Sequence, residues 1–134
     1  MADLKECCES LLSTTTVTLA GTGQTTLYTV PTGKTCVLTK AIIRVAADAG
    51  ASVIRIGRST NLDDFLNLQN LGNLDASGDA AILKPSTPDY VDSSADAAGV
   101  ECLKTYAAGV AIQIDVLSAL GGATNYVDLF GYLL

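Results

Sequence analysis

The 134-residue chain has no histidine, no tryptophan, one methionine, two phenylalanines and three prolines. Each shortage excludes something. Histidine is the commonest general base, and it is the usual cationic neighbour that lowers a cysteine pKa. Acid–base or thiol catalysis would therefore fall to carboxylates, lysine or tyrosine, and no Gly-x-Ser-x-Gly elbow offers a serine nucleophile. The chain is expected not to be an enzyme. The four cysteines, Cys7, Cys8, Cys36 and Cys102, contain no C-x-x-C pair, so neither a zinc site nor a disulfide framework is indicated. They read as mostly buried thiols of a reducing cytoplasm, with a Cys36–Cys102 bridge left open because both fall in expected strands. Basic residues are also sparse. Lys and Arg number 8 against 14 Asp and Glu, for a net charge of −6, and they stand singly. No basic run can neutralise a phosphate backbone or an anionic bilayer, so neither nucleic acid nor membrane is an expected partner. No apolar run approaches a membrane span, and the first residues lack the basic start and apolar stretch of a secretory signal.

What is present is aliphatic. Apolar residues make up 49% of the chain and charged residues 16%. That balance favours a packed core over disorder. One domain is expected, and a chain of this size hides about two-thirds of its unfolded surface without a metal or disulfide staple. Residues 3–12 place Leu4, Cys7, Cys8, Leu11 and Leu12 at helical spacing after an Asp3/Glu6 capping-box-like start, which predicts a short helix. From Ser13 onward the residues turn to Thr, Val, Ile and Gly. Runs at 14–19, 25–30, 35–47, 52–57, 80–83, 110–117 and 126–134 read as strands, most of them punctuated by Gly, Pro or Asp turns. Pro31-Thr32-Gly33 is expected as a tight turn with positive φ at the glycine. Residues 61–68 read as a single helical turn with Leu62, Phe65 and Leu66 on its apolar face. The pattern therefore predicts an all-β fold: an antiparallel β-sandwich, jelly-roll-like, of about eight strands behind a short N-terminal helix or arm. The division is an arm over 1–13 and a β-sandwich domain over 14–134.

Several motifs suggest chemistry and fail on context. Gly33-Lys34-Thr35 ends like a phosphate-binding loop, but the required earlier glycine is Tyr28, and the segment opens a strand instead of a helix. Asp63-Asp64 and Asp75-Ala76-Ser77-Gly78-Asp79 suggest calcium, yet they lack the spacing of an oxygen cage and match ordinary turn chemistry. Asp89, Asp92 and Asp96 lie in a long loop flanked by Pro and Ser and read as a solvated edge. No cofactor and no metal ligand is expected.

One segment carries a resemblance. Thr26-Leu27-Tyr28-Thr29-Val30-Pro31-Thr32-Gly33-Lys34-Thr35, followed by the apolar Cys36-Val37-Leu38-Thr39-Lys40-Ala41-Ile42-Ile43, resembles a segment of small structural proteins of tailed bacteriophages and prophages. The closing Val127-Asp128-Leu129-Phe130-Gly131-Tyr132-Leu133 is similar to their last strand. The resemblance implies a virion protein built as a β-sandwich. Its foremost form is a head decoration (cement) protein, a homotrimer on the exterior of the major capsid protein lattice, made in the bacterial cytoplasm. A tail, baseplate or fibre component is the alternative within that class, and a carbohydrate-binding β-sandwich module the alternative outside it. The last strand is apolar on both faces apart from Asp128, so a partner chain is expected over one of them. The expected partner-binding residues are Leu4, Cys7, Cys8, Leu11 and Leu12 of the arm, with Phe130, Tyr132 and Leu134 of the last strand.

Overall fold

A computed structural model describes residues 8–85 and 104–134. They form nine strands: β1 (Ser10–Val17), β2 (Gly23–Thr29), β3 (Cys36–Val45), β4 (Val53–Arg58), β5 (Asn61–Asn70), β6 (Ala80–Leu83), β7 (Lys104–Tyr106), β8 (Ala111–Ser118) and β9 (Asn125–Leu133). All pairings are antiparallel. One sheet runs β1-β9-β3-β6, with β7 also on β3, and the other runs β2-β8-β4-β5. Consecutive strands mostly change sheet; β4–β5 is a hairpin within one sheet, and β6 and β7 both stay on β3. The strands expected from alternation are present. β7 was not anticipated.

The core lies between the sheets and is aliphatic. Leu38, Ala41 and Ile43 of β3 and Val127 and Leu129 of β9 face Ile54 and Ile56 of β4 and Ile112 and Ile114 of β8, all fully buried. Among the described residues, Phe65 and Tyr106 are the largest side chains wholly enclosed. Alternation along a strand sends every second residue inward, so these runs fill one layer from both sides.

Two helical expectations are corrected. Among the described residues there is no helix. Ser10 onward belongs to β1: plain alternation sends Leu11 outward and Leu12 inward, and a register shift between Leu11 and Ser13 then brings Thr14 and Thr16 back to the face of Leu11. Leu11 stays outside at 47% exposure while Leu12 enters the core at 7%. The remainder of the expected helix, residues 3–7, lies outside the described residues. Asn61–Asn70 is likewise a strand, β5, and not a helical turn. Its pairing with β4 shifts register twice, and Asp64, Phe65 and Leu66 are buried in succession. Such bulges erase the period-two signature that would have marked the strand.

The turns follow local chemistry. The Lys34 N–H donates to the Pro31 carbonyl at 3.2 Å, and Gly33 has a φ of 76°. Both are as expected for a turn that requires glycine at its third corner. The Asp48 carboxylate accepts from the Gly50 N–H at 2.7 Å, Asn70 Oδ1 accepts from the Gly72 N–H at 2.8 Å, and Asp79 Oδ2 accepts from the Ala76 N–H at 3.0 Å. Asp79, one of the calcium candidates, is thus engaged in closing a turn.

Candidate interaction face

The five-stranded sheet turns one face to the core and the other outward. Cross-strand register assembles the outer face in rows. Leu11 (β1), Phe130 (β9) and Lys40 (β3) form one row. Thr14, Asp128, Ile42 and Ile82 (β6) form the next. Thr16, Tyr126, Arg44 and Ala80 form a third, and Tyr132, Val37 and Thr105 lie at the other end. Three of the chain's seven aromatic residues therefore share one surface, because they stand at even positions of a single strand.

The charges on this face neutralise one another. The Arg44 guanidinium donates to both oxygens of Asp128, at 2.9 and 3.1 Å, and the Thr14 hydroxyl donates to Asp128 Oδ1 at 2.8 Å. Burial pushes the Asp128 carboxyl up, but the Arg44 and Thr14 hydrogen bonds and the Arg44 charge outweigh it and hold the group below its ordinary value. Glu9 accepts from the Thr39 hydroxyl at 2.5 Å and lies 3.7 Å from Lys40 Nζ. Both cations also sit over rings, Arg44 at 5.0 Å from the centroid of Tyr126 and Lys40 at 5.2 Å from that of Phe130. The ring faces are thereby capped, and a stacked sugar would first have to displace the cations.

The opposite sheet has a different outer face. Its middle is polar, with an Arg55–Asp115 ion pair at 2.8 Å and a Gln113 amide donating to the Thr26 hydroxyl at 3.1 Å. Exposed Leu68 and Leu117 lie on β5 and β8.

A second cluster, buried except at the Arg58 side chain, ties the sheets together. The Tyr106 hydroxyl of β7 donates to Asp64 Oδ1 of β5 at 2.8 Å. The Arg58 backbone N–H donates to the same oxygen at 3.1 Å and its Nε to the other at 2.5 Å. The guanidinium carbon of Arg58 lies 5.4 Å from the centroid of the Tyr106 ring. Burial, then the hydrogen bond to the Asp64 carboxylate, pushes the Tyr106 phenol far above its ordinary range. The phenol stays protonated and Asp64 accepts from three donors, so the group holds β7 against β5. In the sequence Asp64 reads only as a calcium candidate. The one local signal for it was a carboxylate directly before the apolar Phe65 and Leu66.

Of the residues expected at a partner surface, the structure brings Leu11, Phe130 and Tyr132 together on the outer face. Leu12 is on the core side of the same strand as Leu11. Leu134 is 62% exposed beyond the end of β9, where its N–H and carbonyl exchange backbone hydrogen bonds with Thr35. Cys8 is exposed just ahead of β1. Leu4 and Cys7 lie outside the described residues, as do Asp89, Asp92, Asp96 and Cys102. Cys36 is a free, fully buried thiol facing the core. Tyr126, Arg44, Lys40, Ile42 and Ile82 were not anticipated, since only strand pairing places them beside Phe130.

No protein-family model matches the chain, and no curated protein matches it in sequence. Among solved structures, a chain of the cyanophage Pam1 capsid asymmetric unit is similar over 92% of this chain and 84% of that one, at 12% identity and a TM-score of 0.49. Residue identity is too low and the superposition too loose to assign a role, which has to come from this chain's own surface.

Proposed function

We propose that the protein is a structural component of a bacteriophage virion, and within it a decoration (cement) protein that binds the major capsid protein lattice from outside. One observation carries the reading: a sheet face of aromatic and aliphatic side chains whose charges are already paired within the chain. Such a face suits burial against protein, because no uncompensated charge has to be desolvated there. The resemblance of Thr26–Thr35 to virion proteins supports the same reading. That segment runs from the end of β2 through the link to β3, from one sheet to the other, with Leu27 and Val30 anchored in the core.

The alternation of consecutive strands between sheets, with the short β7 set aside, supports a jelly-roll-like sandwich. A decoration protein acts by mass action: binding the assembled lattice and not its dissociated subunits raises the stability of the shell. In this reading the chain does no catalysis and takes no cofactor, self-association is part of its role, and the residues ahead of β1 serve as an arm. Because β1 takes up Ser10–Ser13 and Glu9 is held by Thr39 and Lys40 of β3, an arm that can leave without disturbing the sheet ends before Glu9.

The test is location. Particles purified from cells carrying the gene, examined by labelled antibody and by sedimentation of heads and tails apart, are expected to show the protein on heads. Removing it is expected to lower the temperature at which heads release DNA. Its presence on tails alone, or its absence from particles, would overturn the reading.

A further inference from the structure

We propose that the outer face of the five-stranded sheet docks a second copy of this chain, face to face across a two-fold axis. The inference rests on the reading of the protein as an assembly component and assigns that face to self-association, so that the dimer meets the lattice through its other surfaces.

Electrostatics select the occupant. Each chain carries a net charge of −6, so copies repel at a distance. On this face, however, Glu9 is matched by Lys40 and Asp128 by Arg44. A partner recognised by charge complementarity would need unpaired charge here to meet, and these four groups offer none. A second copy presents the same neutral surface, so no like charge is left facing its own kind unscreened. Identical patches meeting one another are the isologous contact of a two-fold dimer.

Composition and size agree. Tyr126, Phe130, Tyr132 and Arg44 are residue types that dominate the energetics of interface centres. Ile82 at 61% and Leu11 at 47% exposure flank them on the outer strands. Four strands about 4.8 Å apart, crossed by the nine residues of β9 at about 3.4 Å each, give a face of roughly 19 by 30 Å, or about 570 Å². Two such faces bury on the order of 1,100 Å², which clears the roughly 1,000 Å² expected of a specific contact. The other sheet has a polar middle with the Arg55–Asp115 pair at its centre, and it serves as the control surface.

Sedimentation equilibrium of the full chain tests the proposal. The expected mass is that of a dimer. The Leu11→Lys/Ile82→Lys double variant is expected to weaken association about 100-fold or more and sediment as a monomer, while Leu68→Lys on the other sheet leaves the dimer intact. All three side chains are exposed, so circular dichroism is expected to show unchanged folding, and each single lysine variant is expected to weaken the dimer if the double variant is poorly soluble. A monomeric wild type, a trimer, a dimer that survives the double variant, or one that Leu68→Lys breaks would each overturn it. Co-sedimentation with phage heads separates this outcome from the broader reading. A wild-type monomer that still binds heads refutes the dimer alone, and a dimer that binds no particle refutes the virion role alone.

Discussion

Replacing Tyr106 by Phe should lower the melting temperature by about 5–10 °C, and the size of that drop follows from the geometry of one hydroxyl. The ring is 1% exposed and keeps its packing and its contact with Arg58, so the change removes only the donor to Asp64. A hydrogen bond to a buried carboxylate contributes about 1.5–3 kcal/mol. Unfolding entropy of about 2.1 cal/mol/K per residue amounts to roughly 280 cal/mol/K for this chain, so each kcal/mol moves the midpoint by about 3.6 °C. Asp64→Ala should cost more, because it orphans the Tyr106 hydroxyl and the Arg58 N–H together. Its penalty is held down by Arg58, whose side chain is 42% exposed. That guanidinium can return to water. Thermal melts of the two single variants and the double variant give the coupling between the residues. A Tyr106→Phe shift of less than about 2 °C, or additive single effects, would show that the cluster does not clamp the sheets.

Other perturbations have equally definite outcomes. Asp128 has a folded pKa below its unfolded value near about 4, so its contribution to stability is complete above that value and is lost as pH falls through the folded one. Asp128→Asn should flatten the acid side of the stability–pH curve, and an unchanged slope there would contradict the pairing with Arg44. A Cβ at Gly131 would collide with the Val37 backbone carbonyl. Gly131→Ala should therefore destabilise by about 2 kcal/mol or more, measured by urea denaturation. A Cβ at Gly33 meets no neighbour, and the strain there comes only from the positive φ. Gly33→Ala should cost about 1–2 kcal/mol, and a Gly131→Ala cost below that of Gly33→Ala would refute the close approach at Gly131. Burial pushes the Cys36 thiol up to about 11. A variant keeping only that cysteine should react with a thiol reagent at neutral pH only after unfolding. Fast reaction of the native protein would show that the core opens around β3.

Much of the architecture was legible locally. Pro31-Thr32-Gly33 encodes its own turn, and the alternation of Ile112 and Ile114 with Gln113 and Asp115 encodes a strand with one polar face. The closing strand was legible as well, as an apolar run over its whole length, and Phe130 and Tyr132 fall on its outward side. β5 was not legible, because its bulges replace alternation with the buried run Asp64-Phe65-Leu66. Leu11 and Leu12 misled for a different reason: neighbours on opposite faces of a strand also complete the helical spacing that begins at Leu4, Cys7 and Cys8.

Sequence by itself determined the material of this protein: an aliphatic core, glycine-marked turns, strands in place of crossover helices, and no histidine for chemistry. Only the tertiary structure decided which strands lie together. Thr14 reaches Asp128 across 114 positions, and Tyr106 reaches Asp64 across 42. Propensity and periodicity act over a few residues, whereas register is set by how two whole sheets fit, and a one-residue shift exchanges the faces. The paired charges and gathered aromatics of the outer face are a product of that register.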